Sequence, residues 1–156
     1  MNITDLMLED LVNVKTIDKD TRKEVVKPGR VVELSPYFKR VGVSLIEEDA
    51  LRWFGIGFPL SSIEPIPLTV EILERNGFRH DCTDTAGLDY YCLGEPGNET
   101  ACIVKKSGLD ALKDTEEGQV IWCFYAGTID VYDKILYVHT LQHALRMSGI
   151  NKEITL

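Results

Sequence analysis

The sequence predicts an α+β chain. An SH3-like small β-barrel occupies residues 1–67, and an α+β domain occupies 68–156, an antiparallel β-meander with two short helices. Three observations predict it. Short β-branched runs broken by Gly, Pro and charged turns fill the first part. A proline-rich stretch, "EPIPLT", separates the two parts. The second part alternates short aromatic or β-branched runs with turns, and a helical period marks each of its ends.

The elements follow in order. "DLVNVK" (Asp10 to Lys15) alternates as a half-buried strand does. "TIDKDTRKEVVKPGR" is polar, and its Pro28-Gly29 pair predicts a turn. "RVVEL" (Arg30 to Leu34) is the next strand, "SPYF" breaks it, and "RVGVSLI" (Arg40 to Ile46) resumes. "LRWFGIG" (Leu51 to Gly57) predicts a further strand, and "LSSIEP" suits one 3₁₀ turn before an extended "IPL". Four or five short strands, a polar first loop and a 3₁₀ turn before the last strand describe an SH3-like barrel.

From Leu68 the signals change. "LTVEILERNGF" predicts a helix with Thr69 as N-cap, Glu71 in the first turn and Asn76-Gly77 as a left-handed stop. "FRHDC" (78–82), "DYYCL" (89–93) and "TACIVKK" (100–106) read as meander strands. "SGLDALKDTEEG" reads as a loop or a one-turn helix. "QVIWCFYAG" (119–127) reads as a central strand, with "TIDVYD" as its partner. "YVHTLQHALRMSGI" closes the pattern as an amphipathic helix.

Composition bounds function. The chain carries a net charge of −8, with −2 in residues 1–67 and −6 in 68–156. An acidic chain repels phosphate backbones, which disfavours nonspecific nucleic-acid binding. No run approaches the roughly 20 apolar residues of a membrane-spanning helix, and the N-terminus lacks the pattern of a signal peptide. A cytoplasmic protein with no membrane partner is expected. The four cysteines, Cys82, Cys92, Cys102 and Cys123, form no CxxC pair. Free thiols packed as small apolar groups are expected in a reducing compartment. The ten-residue spacing of the first three would place them on neighbouring strands.

Two constellations bear on chemistry. His139 and His143 stand four apart on the last helix, the spacing of the zinc motif H-E-x-x-H, but the glutamate is missing. At 100° per residue, Tyr137, Val138, Leu141, Ala144 and Leu145 form the core stripe. Both histidines fall on the opposite, polar face beside Arg146. The expectation is a contact surface, with no metal ligands, no catalytic residues and no cofactor. Lys15, Lys19, Arg22, Lys23, Lys27 and Arg30 outnumber Asp18, Asp20 and Glu24, a local excess of three positive charges. Beside exposed Tyr37, Phe38 or Trp53, such a loop could bind RNA, DNA or a peptide. The candidate binding residues are therefore Lys15, Lys19, Arg22, Lys23, Tyr37, Trp53, His139 and His143. No P-loop, GxSxG, GxGxxG or Cys–His signature is present.

"DLMLEDLVNV", "SSIEPIPLTVEILERNGF" and "YVHTLQHALRMSGINKEITL" together resemble a family of small uncharacterised proteins encoded by phages and mobile elements of gut bacteria. Its pattern is a "lmigDwV" start, an "IxPIPLTxEILxxNGF" centre and a "YVHxLQ" helix; residues 79–134 match none of these. The resemblance implies a bacterial or phage cytoplasm and carries over no catalytic residue. The expected function is a non-enzymatic interaction or adaptor protein with a protein partner. The alternative is a nucleic-acid-associated accessory protein acting through the basic loop 15–30, and a metal-dependent hydrolase is the remote one.

Overall fold

The computed structural model describes residues 2–18, 20–46, 57–95, 97–106, 121–126 and 129–156. Among the described residues the chain is mostly β, with curled antiparallel sheet and two small α-helices. It parts into two compact units, Met1–Ile66 and Pro67–Leu156. The strand expected over 51–57 and the loop expected over 107–118 lie outside the described residues, except for Gly57.

The N-terminal unit contains β1 (Leu11–Ile17), β2 (Glu24–Ser35), β3 (Arg40–Leu45), β4 (Phe58–Pro59) and β5 (Ile63–Pro65), with a 3₁₀ turn at Leu60–Ser62. Its antiparallel sheet has the order β4-β3-β2-β1-β5. The last strand thus returns to pair with the first, Val14 opposite Ile63 and Val12 opposite Pro65. The core is aliphatic: Leu6, Val12, Val14, Val31, Val41 and Ile63 are buried together. Alternation does this, since Asn13 and Lys15 leave β1 on the other face.

The turn expected at Pro28-Gly29 is a correction. Both residues lie inside β2, opposite Asn13 and Val12. A cheaper turn exists at residues 18–23. The Asp18 carboxylate accepts from Thr21 N at 2.8 Å and from Thr21 Oγ1 at 2.7 Å, and Asp18 N donates to Lys23 O at 2.9 Å. This side-chain-to-backbone bonding closes the hairpin. Gly29 then serves packing, because a Cβ there would collide with Val43 Cγ1. Pro28 keeps its carbonyl in use by accepting from Ile46 N.

The C-terminal unit contains α1 (Val70–Arg75), β6 (Phe78–Thr83), β7 (Asp89–Glu95), β8 (Asn98–Lys106), β9 (Ile121–Ala126), β10 (Ile129–Ile135) and α2 (Val138–Met147). Its sheet is a pure meander of order β10-β9-β8-β7-β6. Thr69 Oγ1 caps α1 by accepting from Ile72 N at 3.3 Å, and Gly77, at φ +80°, ends it. Asn76, only 3 % exposed, then ties this helix end to the chain's last residues. Its Nδ2 donates to Ile72 O and Thr155 O, while its Oδ1 accepts from Thr155 N. At the start of α2 the Thr140 hydroxyl accepts from Tyr137 N and donates to Tyr137 O. Gly149, at φ +71°, closes it. Helix α1 packs against β6 and α2 against β10. Phe78, Ile103, Phe124, Ile135, Leu141 and Leu145 are the large buried side chains of this unit. Among the described residues no helix is long and apolar enough to cross a membrane.

Candidate functional site

Among the described residues the N-terminal unit carries two hairpin tips. The first, between β1 and β2, is the basic one. Arg22 and Lys23 are exposed there, and Arg22 adopts a left-handed φ of 58°. Asp18, whose charge offsets theirs, is occupied in holding the turn. Thr21 bonds to its carboxylate and keeps that carboxyl below the usual range. Lys15 stands further down β1 and pairs with Glu64 of β5 at 2.6 Å. The hydrogen bond and charge of Glu64 raise the Lys15 ammonium above its ordinary value. Lys19 lies outside the described residues.

The second tip, between β2 and β3, is the aromatic one. The turn runs from Pro36 to Lys39: Lys39 N donates back to Pro36 O at 3.3 Å, and Lys39 takes a left-handed φ of 51°. Tyr37 and Phe38 occupy the two central positions. They are 90 % and 69 % exposed, and their rings meet edge to face at 5.0 Å. Arg40 Nη1 donates to Gly57 O and Leu60 N donates to Lys39 O, which anchors the base of the tip.

These two tips are not one site. They lie at opposite ends of the 12-residue strand β2, about 35 Å apart along the extended chain. The basic loop expected beside Tyr37 and Phe38 is therefore remote from both, which corrects that juxtaposition. Trp53 lies outside the described residues.

The histidine face of α2 is also corrected. His139 and His143 are 3 % and 8 % exposed, and Gln142 between them is buried as well. The His139 ring stacks on Tyr137 at 5.7 Å and meets His143 edge to face at 5.8 Å. An aromatic ladder is packed inside the protein, not offered to solvent. The helical projection located the apolar stripe correctly; what it does not carry is whether the opposite side is covered. Among the described residues no three His, Cys, Asp or Glu side chains gather as metal ligands would.

Sequence reasoning missed a polar group on β6 and β7. Thr83 Oγ1 donates to Asp89 Oδ1 at 2.8 Å, and His80 Nε2 lies 3.5 Å from the same oxygen and 3.4 Å from the hydroxyl. The Thr83 bond, then His80, holds the Asp89 carboxyl below its usual range. A hydroxyl, an imidazole and a carboxylate suggest a triad, but the geometry is wrong. A triad needs the nucleophilic hydroxyl and the orienting carboxylate on different ring nitrogens, and here both meet Nε2. The Thr83–Asp89 register pairing was the available signal.

The cysteines differ from expectation. Cys82, Cys92, Cys102 and Cys123 do stand on four successive strands, β6 to β9, but Cys92 and Cys102 are joined as a disulfide. They are direct cross-strand partners, which the ten-residue spacing hinted at without fixing the register. Comparison of the chain with protein-family models, curated proteins and solved structures found no match.

Proposed function

We propose that this chain is a non-enzymatic interaction or adaptor protein whose N-terminal unit is an SH3-like small barrel and whose contact point is the Tyr37–Phe38 turn. One observation carries the reading. Two large aromatic side chains stand almost fully in water on an anchored turn, where they cost apolar exposure and stabilise nothing in the fold. Aromatic anchors of this kind dominate the energetics of protein interfaces, because they bury much area at little conformational cost. The strand order β4-β3-β2-β1-β5 and the 3₁₀ turn before β5 support the SH3-like reading. The three quoted motifs support a phage or mobile-element origin and a bacterial cytoplasm. A protein partner fits better than a nucleic acid, since the basic tip and the aromatic tip lie too far apart to hold one short strand together.

Affinity capture from a bacterial host lysate tests this. The wild-type chain is expected to retain a defined protein partner. Tyr37→Ser/Phe38→Ser is expected to lose it by at least about tenfold, with an unchanged circular dichroism spectrum. Equal recovery by both proteins would remove the aromatic turn from the reading. Salt-sensitive RNA or DNA binding that needs Arg22 and Lys23 but ignores Tyr37 would put the nucleic-acid alternative in its place.

A further inference from the structure

The four cysteines share one face of the C-terminal sheet, in two adjacent cross-strand rows. One row runs Cys82, Tyr90, Val104, Cys123; the next runs Arg79, Cys92, Cys102, Tyr125. Only Cys92 and Cys102 stand directly opposite each other, with Cα atoms 4.1 Å apart. That separation belongs to the close, non-hydrogen-bonded kind of antiparallel pair, where side chains come nearest. Cys82 is diagonal to Cys92, and Cys123 is diagonal to Cys102. Diagonal neighbours lie about 7–8 Å apart, beyond the reach of an undistorted bridge.

The bridged residues are 10 apart in sequence, and the loop between them is the β7–β8 hairpin. Backbone pairs from Asp89 opposite Lys105 to Glu95 opposite Asn98 already hold that hairpin shut. The bond therefore brings no distant parts of the chain together. The strand register brings the two sulfurs within reach of each other, and the bond adds a covalent limit to how far the hairpin opens locally. A ring this short constrains the unfolded chain less than a long-range bridge would, which leaves the bond better placed for exchange than for holding distant parts of the chain together.

We infer that Cys92 and Cys102 form a reversible redox latch on the β7–β8 hairpin, closed by thiol–disulfide exchange with a small-molecule disulfide of the glutathione type and opened by the corresponding thiol. Closing takes two steps. The Cys102 thiolate attacks one sulfur of the small disulfide, and the expelled small thiolate takes up the proton that Cys102 released. The Cys92 thiolate then attacks Cys102 Sγ, and the second small thiolate leaves and takes up the proton from Cys92. Two protein thiols are oxidised, one small disulfide is reduced, and two small thiols are released. Cys102 is the first partner because it is partly exposed, whereas Cys92 is buried.

The other two cysteines are kept apart from the exchange. Cys82 is exposed, but desolvation and the nearby Asp81 and Asp84 carboxylates raise its thiol above the ordinary value and leave little thiolate. Cys123 is buried against Val104, with Leu88, Tyr90 and Tyr125 packed around them.

Equilibration of the full chain in glutathione buffers of graded ratio, followed by alkylation in denaturant, reads the latch. Two modified cysteines are expected at the oxidising end and four at the reducing end, with one midpoint between. Cys82→Ser is expected to leave that midpoint where it is. Hydrogen exchange is expected to rise several-fold in peptides from 89–106 on reduction, with the remaining peptides unchanged. Cys92→Ser/Cys102→Ser is expected to match the reduced protein. Four modified cysteines at every ratio would overturn the proposal, and so would two at every ratio. Identical exchange of 89–106 in both states would show a passive bond, and loss of protection throughout 67–156 on reduction would show a structural staple; either result also overturns it.

Discussion

The sheet of residues 11–65 brings its last strand, β5, back to pair with its first and ends at β4 and β5, whereas the sheet of residues 78–135 keeps chain order and has a helix packed against each edge strand. The first solution needs a long-range pairing, Val14 with Ile63. The second pairs only sequence neighbours and recruits α1 and α2, which adjoin the edge strands directly in sequence. The cores differ accordingly. Small aliphatic side chains fill the N-terminal unit, while Phe78, Phe124 and several leucines fill the C-terminal one. A short curled sheet needs little interior volume, and a meander with a helix packed against each edge strand needs larger side chains to meet them.

The largest effect that sharpens this contrast comes from truncating each core. Phe124→Ala is expected to cost about 3–5 kcal/mol, because it removes a fully buried aromatic and leaves a cavity. Val14→Ala is expected to cost about 2 kcal/mol. The chain has two tryptophans, one in each unit, so Trp53→Phe and Trp122→Phe backgrounds allow urea unfolding of either unit to be followed by fluorescence. Equal costs at the two sites would break the comparison.

A smaller effect isolates the link at the end of α1. Asn76→Ala removes the side-chain partners of Thr155 O and Thr155 N and one of the two donors to Ile72 O, which keeps the backbone N of residue 76. The expected loss is about 2 kcal/mol, with faster hydrogen exchange at Thr155 and none at the N-terminal unit. A change spread evenly over both units would show that Asn76 does something other than hold the tail.

The smallest effect is acid sensitivity. Hydrogen bonds from Thr83 hold Asp89 down, backbone donors hold Glu99 down, and the N-terminus of α1 with Thr69 holds Glu71 down. The N-terminal unit has Asp18 alone among the described residues with a lowered carboxyl. A carboxyl depressed on folding contributes stability that is present above its unfolded value, about pH 4, and is lost as the pH falls through the folded one. Urea midpoints between pH 6 and pH 3 are therefore expected to fall more steeply for the Trp122 signal than for the Trp53 signal. Glu71 is exposed and Asp18, Asp89 and Glu99 are only half-buried, so the slopes are shallow and decrease further in salt.

What was legible in the sequence was local. Thr69, Asn76 and Gly77 state where α1 starts and stops, because a cap and a left-handed stop are decided within a few residues. The meander strands are legible for the same reason. Pro28-Gly29 misleads because Asp18 and Thr21 make a better turn nearby, and the demand for Gly29 comes from Val43 on another strand. His139 and His143 mislead because burial on the far side of a helix depends on what packs there. The bridging of Cys92 and Cys102 depends on a cross-strand register that no single strand encodes. The candidate aromatic turn was legible as residues, but its distance from the basic loop was set by the length of β2.

That strand also acts as a ruler. A ligand that engages one end of it leaves the other end in solvent, so the N-terminal unit can hold two small partners at once without competition between them. A single partner in contact with both ends must follow the strand, whose contour is at most about 35 Å and whose register shifts between Val31 and Glu33.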